Sequence, residues 1–251
     1  MKYRTMNKLK AKELQQALTN LFKLGIDKTN NSLTIVFGKT QTLLLVRKLD
    51  EFYQINNNGF IEFAAVLDAE NQEEGLALIR DAVNFKNEIS KLESEDIEFE
   101  LIENELIVNN GVYVTKYSSL DMRSRKTMNS QAMVTIDLNG EELQQAYKQA
   151  FKHVLDKRSV WLNGIHHELK QGQLNIDVTD AYTLSLETIS SNRDELDFFI
   201  TYDMAKTLSK VKADSVKICV EEHDSNWYIR FILDGRYLLE STVKKVKRAE
   251  E

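Results

Sequence analysis

Glu13-Leu14-Gln15-Gln16-Ala17 recurs as Glu142-Leu143-Gln144-Gln145-Ala146, at an offset of 129 residues. Phe22-Lys23 returns at the same offset as Phe151-Lys152. Further along, Leu33-Thr34-Ile35 followed by Thr42-Leu43-Leu44-Leu45 is matched by Leu174-Asn175-Ile176 followed by Thr183-Leu184-Ser185-Leu186. The order is kept and the flanking pattern is kept, so the chain reads as two copies of one domain.

Each copy opens on an amphipathic helix. Leu14, Ala17, Leu18, Leu21 and Phe22 follow the i, i+3, i+4, i+7 spacing in the first, and Leu143, Ala146, Tyr147, Ala150, Phe151 and Val154 follow it in the second. Short strand candidates come next, at 33–37, 42–47 and 59–64 in copy one and 164–169, 174–178 and 183–188 in copy two. A second helix is expected at 73–85 and at 203–211. Each copy closes on a meander, 96–117 and 215–242, with turn signals at Asn109-Asn110-Gly111 and Asp234-Gly235. The polar stretch 118–131 carries Arg123, Arg125 and Lys126 and reads as the connection. The expected organisation is a first domain at 1–122, a linker at 123–131 and a second domain at 132–251. The fold class is α+β, two tandem copies of one domain, each with two helices packed on an antiparallel sheet.

Composition narrows the function classes. The chain has 251 residues, 42% hydrophobic and 29% charged, enough for one large core or for two smaller ones. No run approaches the ~18 apolar residues of a membrane span, and Met1-Lys2-Tyr3-Arg4-Thr5-Met6-Asn7 lacks a secretory signal's apolar stretch. The expectation is a cytoplasmic protein away from membranes. One cysteine, Cys219, offers neither a disulfide nor a metal-ligand spacing. With 33 basic and 39 acidic residues the net charge is −6. A chain this acidic is a poor candidate for a DNA coat held by bulk charge, and phosphate contact would need basic residues gathered on one surface. Proline is absent, so turns rest on Gly, Asn and Asp.

Few residues point to chemistry. Gly38-Lys39-Thr40 looks like the end of a phosphate-binding loop, but the required glycine five residues earlier is Leu33, so a strand-to-strand turn fits better. His166 and His167 are strand neighbours pointing to opposite faces and cannot share a metal, while His153 has no matched ligand. Cys219 sits in an apolar strand. Glu93 to Glu105 alternate with apolar residues as a half-exposed strand pair does. No catalytic residue, metal site or cofactor is expected, and the chain does not read as an enzyme.

The polar helix faces are more informative. Lys12, Gln16, Thr19 and Lys23 lie opposite the apolar stripe of the first helix, and Gln145, Lys148, Gln149 and Lys152 opposite that of its repeat. Lys206 and Lys210 take the polar side of the second helix in copy two. A few point charges among amides, without a bidentate arginine, suit loose phosphate contact rather than base reading. The remaining helix differs, since Glu73, Glu74 and Asp81 outnumber Arg80 there.

Arg158-Ser159-Val160-Trp161-Leu162-Asn163-Gly164-Ile165, followed by Leu174-Asn175-Ile176-Asp177-Val178-Thr179-Asp180-Ala181-Tyr182-Thr183-Leu184, resembles the middle domain of the bacterial DNA polymerase III beta subunit, the sliding clamp. That family shows an arginine-led strand with Leu-Asn/Thr-Gly, then an apolar strand running into Thr-Asp-Gly-His-Arg-Leu. The resemblance covers about 110 residues, 134–242; the first copy shares it through the repeat.

The resemblance implies a ring with helices lining a central hole and sheets outside. Lys12, Lys23, Lys148, Lys152, Lys206 and Lys210 would face duplex DNA, without sequence preference, and the acidic surplus would lie on the outer surface. The bacterial clamp closes as a dimer of three-domain chains, so a two-domain chain would need three copies. A homotrimeric processivity factor, loaded by a separate clamp loader and tethering a DNA polymerase, is the expected function. The family's partner-peptide groove falls on Thr179, Ala181, Tyr182, Thr183 and Leu184, where Ala, Tyr and Thr replace Gly, His and Arg. The family's third-domain wall and its Arg-Phe-Pro segment have no counterpart. Ring closure would pair edge strands, with 111–117 against 227–232 as candidates. The alternative is a clamp-fold interaction protein that binds replication proteins without encircling DNA; an α+β enzyme with an unmarked site is a third reading.

Overall fold

In the computed structural model, residues 4–24, 32–49, 60–69, 74–102, 105–109, 114–118, 133–152, 164–179, 184–191, 196–223 and 226–244 are described. The chain divides into two compact units, residues 1–48 with 62–126, and residues 127–251 with 49–61.

The first unit runs β1 (Arg4–Lys10), α1 (Ala11–Leu24), β2 (Leu33–Phe37), β3 (Gln41–Leu49), β4 (Phe60–Asp68), β5 (Gly75–Ile79), α2 (Ala82–Ser90), β6 (Asp96–Ile102), β7 (Glu105–Asn109) and β8 (Val114–Ser118). The second repeats the order as β9 (Met133–Asn139), α3 (Gly140–Lys152), β10 (Gly164–Lys170), β11 (Gln173–Thr179), β12 (Leu184–Ser190), β13 (Leu196–Thr201), α4 (Tyr202–Leu208), β14 (Ser215–His223), β15 (Asn226–Leu233) and β16 (Tyr237–Lys244).

Each unit is itself a doubled motif, strand–helix–three strands, and the two halves exchange their first strands. In the first unit β1 pairs with β6, giving β1-β6-β7-β8, while β5 pairs with β2, giving β5-β2-β3-β4. In the second, β9 joins β14 and β13 joins β10, giving β9-β14-β15-β16 and β13-β10-β11-β12. Each unit therefore carries two antiparallel sheets, where the sequence points to one.

The helices lie on the inner sheet faces. Leu14, Ala17, Leu18 and Leu21 of α1 are buried with Phe85 and Ile89 of α2, and the Phe37 and Phe99 rings, one from each sheet, stand 5.7 Å apart. In the second unit Leu143, Ala146, Tyr147 and Ala150 are buried with Met204, Ala205 and Leu208. Strand alternation does the rest: Ile165, His167 and Leu169 point inward, while His166 and Glu168 stay half-buried on the other face.

The expected helix at 73–85 is corrected. Residues 75–79 form β5, and Asp81 caps α2, its carboxylate accepting from the Asn84 N–H at 3.0 Å. A five-residue apolar run does not declare its period, and the stop at Arg80-Asp81 breaks what looked like one helix. The acids that set this helix apart lie outside it: Glu74 precedes β5 and Asp81 is the cap, while Glu73 lies outside the described residues. Strands β1, β5, β9 and β13 have no counterpart among the sequence's strand candidates; β1, Arg-Thr-Met-Asn-Lys-Leu-Lys, is too polar to announce itself. The turn at Asp234-Gly235 is present, with φ of 50° and 66°, and a second left-handed pair, Gln171 and Gly172 at 53° and 73°, joins β10 to β11. Gly38-Lys39-Thr40 is the β2–β3 turn, with the Gly38 N–H donating to Gln41 O at 2.8 Å. The edge candidate 227–232 is corrected: it lies in β15, already bonded to β14 and β16, and offers no edge.

Candidate nucleic-acid interface

The two helices of a unit run antiparallel, and the repeated glutamine fastens them. Gln15 Nε2 donates to Ile89 O at 2.9 Å and Leu92 O at 3.0 Å, satisfying carbonyls at the C-terminal end of α2. Gln144, its repeat, donates to Val211 O beyond α4 at 2.5 Å. At the other end of the pair, Phe151 meets Tyr202 edge-on at 5.0 Å, and Lys86 of α2 stands over the Phe22 ring at 4.8 Å. The first glutamine of the motif is thus structural. Local spacing does not distinguish this glutamine from its neighbour, although the repeat marks both positions.

With the apolar stripes packed down, the outward faces follow. Lys12, Gln16 and Lys23 are exposed on α1, and Gln145, Lys148 and Lys152 on α3. Lys148 Nζ donates to Gln144 Oε1 at 3.0 Å and Lys152 Nζ to Gln149 Oε1 at 2.6 Å. Lys206 is half-buried, its ammonium 5.8 Å from the Tyr202 ring centre, and Lys210 is exposed just past α4. Among the described residues none of these six lysines is ion-paired with a carboxylate. By contrast, Lys8 and Lys10 on β1 are held by Asp96 at 2.8 and 2.9 Å. The acids of α3, Glu141 and Glu142, sit in its first turn, where the helix dipole favours them. Toward its C-terminal end α3 therefore shows cations and amides alone.

Of the groove positions, Leu184 starts β12 and is 70% exposed, as is Leu186 at 59%. Thr179 ends β11 in register with Leu184. Ala181, Tyr182 and Thr183 lie outside the described residues. Alternation along β12 predicts which way Leu186 faces but not whether anything covers that face.

The histidines separate as their strand positions require. His167 is fully buried, its Nδ1 toward Ile165 O at 3.1 Å and its Nε2 2.8 Å from the Tyr147 hydroxyl, with the ring stacked on Phe198. Burial pushes its pKa down to about 3, so the ring is neutral. Nδ1–H then donates to Ile165, and Nε2 accepts from Tyr147. His166, on the other face, lies between Asp177 at 3.0 Å and Asp197 at 2.7 Å. Among the described residues no group of three or more His, Cys, Asp or Glu could hold a metal ion. Cys219 is buried within β14, and burial raises its thiol pKa.

Strand-exchanged halves, tandem units and paired helices under sheets recur in solved structures. The DNA polymerase sliding clamp of Bacillus subtilis superposes with a TM-score of 0.77 at 13% identity, covering 99% of this chain and 67% of that one. The fold is that of the sliding clamp. The DNA polymerase III beta subunit of Pseudomonas aeruginosa gives 0.76 at 14% identity over 98% of this chain and 66% of that one, and the beta subunit of Streptococcus pyogenes 0.74 at 16% over 98% and 66%. The chain spans about two-thirds of the length of these sliding clamps. No protein-family model and no curated protein matches the sequence. No helix among the described residues is long and apolar enough to cross a membrane.

Proposed function

We propose that this protein is a non-enzymatic DNA sliding clamp, a processivity factor that encircles duplex DNA as a homotrimer of two-domain chains. The supporting observation is the set of six lysines on helix faces, free of carboxylate partners among the described residues, in a chain of net charge −6 with the clamp fold. Lys12, Lys23, Lys148, Lys152, Lys206 and Lys210 would meet phosphates as mobile point charges. Such contacts are weakened by salt and carry no base information. A ring held by topology needs little more, and tighter contacts would oppose sliding.

A DNA polymerase and a clamp loader are the partners this reading calls for, in the cytoplasm and without a cofactor. Thr179, Ala181, Tyr182, Thr183 and Leu184 are the proposed partner-peptide groove. Light scattering on a sizing column tests the assembly. A mass near three times 29.1 kDa supports the ring. A concentration-independent mass of 29.1 kDa favours the second reading, a non-encircling interaction protein, to which the exposed Leu184 and Leu186 would then belong.

A further inference from the structure

We propose that His166 is a proton-operated clip on the face of the second unit turned away from the helices. With both ring nitrogens protonated it ties β11 and β13 to β10, and it drops one of the two ties when the ring gives up a proton. The clip stands whether or not the chain forms a ring.

His166 lies in β10, between its two neighbouring strands. Asp177 is directly opposite on β11, and Asp197 is diagonally opposite on β13, in register with Glu168. Nδ1 is 3.0 Å from Asp177 Oδ2, and Nε2 is 2.7 Å from Asp197 Oδ1. Ionised carboxylates only accept, and a neutral imidazole has a single N–H. A neutral ring therefore satisfies one aspartate and turns a lone pair on the other at hydrogen-bond distance. The imidazolium alone donates to both, and each of those bonds is charge-assisted. Phe199, opposite His166 on β13, flanks the ring with centroids 4.8 Å apart and planes at 33°. The histidine side chain is 14% exposed, so little water can stand in for a lost partner.

The charges around the ring favour the same state. Among the described residues on this face, β10 adds Glu168 beside the ring and the exposed Lys170 two positions further on. β11 adds Asn175, and β12 presents the uncharged Leu186 across from Asp177. His167 points to the opposite face and is neutral. Two adjacent histidines thus answer pH in opposite directions. His167 weakens the fold as pH falls and it must take a proton, whereas the His166 clip is complete with the proton and loosens as pH rises. The strand it holds, β13, runs into Thr201, whose hydroxyl caps α4 by accepting from the Met204 N–H at 3.2 Å. Loosening β13 therefore loosens the seat of the helix that carries Lys206.

Long-range proton–nitrogen spectra of the imidazole rings read the clip in the intact chain, with His166→Gln identifying its signals among the four histidines. Both ring nitrogens of His166 are expected to be protonated at pH 6, with one losing its proton as pH rises. Asp177→Asn/Asp197→Asn keeps the side-chain shapes, removes both charges and should move that transition to lower pH. Amide exchange across Leu196–Thr201, corrected for its intrinsic pH dependence, should quicken several-fold above the transition in wild type and not in His166→Gln. A folded wild type with one bare nitrogen on His166 at pH 6 overturns the clip. So does a transition that the double asparagine variant leaves in place, and so does a titration that leaves β13 exchange unchanged. If His166→Gln fails to fold, ring contacts with Phe199 in wild type identify the signals, and the double asparagine variant supplies the exchange comparison.

Discussion

Gln15 donates its side-chain amide to the backbone carbonyl of Ile89 at 2.9 Å, across the two helices of the first unit, and Gln144 does the same for Val211 in the second. One amide in each copy thus closes a helix end that its own backbone leaves open.

Removing that donor strands a part-buried carbonyl. Gln144→Ala should lower unfolding free energy by about 1 kcal/mol, and Gln15→Ala, which loses two bonds, by up to ~2 kcal/mol. Gln144→Glu cannot donate when ionised and should be at least as damaging as alanine. Urea melts of the three variants check this; equal stability for all would refute the capping role.

Protonation of His167 couples stability to pH. Its folded pKa is about 3 against an ordinary imidazole value of 6.5, because burial disfavours the charged ring. The unfolded chain therefore takes the proton first as pH falls. The contribution is full above pH 6.5 and is lost as pH drops toward 3, with a slope approaching ~1.4 kcal/mol per pH unit. Thermal midpoints of wild type should fall between pH 7 and pH 5, above the main carboxylate range. The Tyr147→Phe/His167→Leu pair, which removes both polar partners, should flatten that fall.

Charge reversal tests the helix face. Lys148→Glu/Lys152→Glu removes two exposed cations whose only described partners are glutamine amides. Retention on duplex DNA should weaken several-fold and its salt dependence should shrink, with the thermal midpoint nearly unchanged. Wild-type retention by the double variant would remove α3 from the DNA-facing surface.

Gly140 opens α3 where a Cβ would lie 2.1 Å from Ala213 O, while its repeat position, Ala11, carries a methyl group without difficulty. Both N–H groups bond across the same gap, Ala11 to Glu95 O and Gly140 to Asp214 O, each at 3.0 Å. Gly140→Ala should destabilise by about 1–3 kcal/mol as backbone shifts to admit the methyl group. Ala11→Gly should cost no more than ~1 kcal/mol. Chemical denaturation of the two variants side by side measures the difference.

The amino-acid sequence by itself determined what is periodic or local. The repeat is visible in Glu13–Ala17 and Glu142–Ala146, helices α1 and α3 in their apolar spacing, and the β15–β16 turn in Asp234-Gly235, because each depends on neighbours within a few residues. The exposed lysines follow from the same periodicity: a stripe that packs inward turns its opposite face out. Tertiary structure decided the rest. β5 and β13 are strands because another half of the unit offers them a sheet, a partner dozens of residues away that local pattern does not record. Gln15 and Gln16 are adjacent and chemically identical. Only the packing of α2 against α1 makes the first a cap and leaves the second in solvent. Leu186 alternates with Ser185 in any reading of β12, but its exposure depends on the sheet ending there, and where a sheet ends is a property of the whole unit.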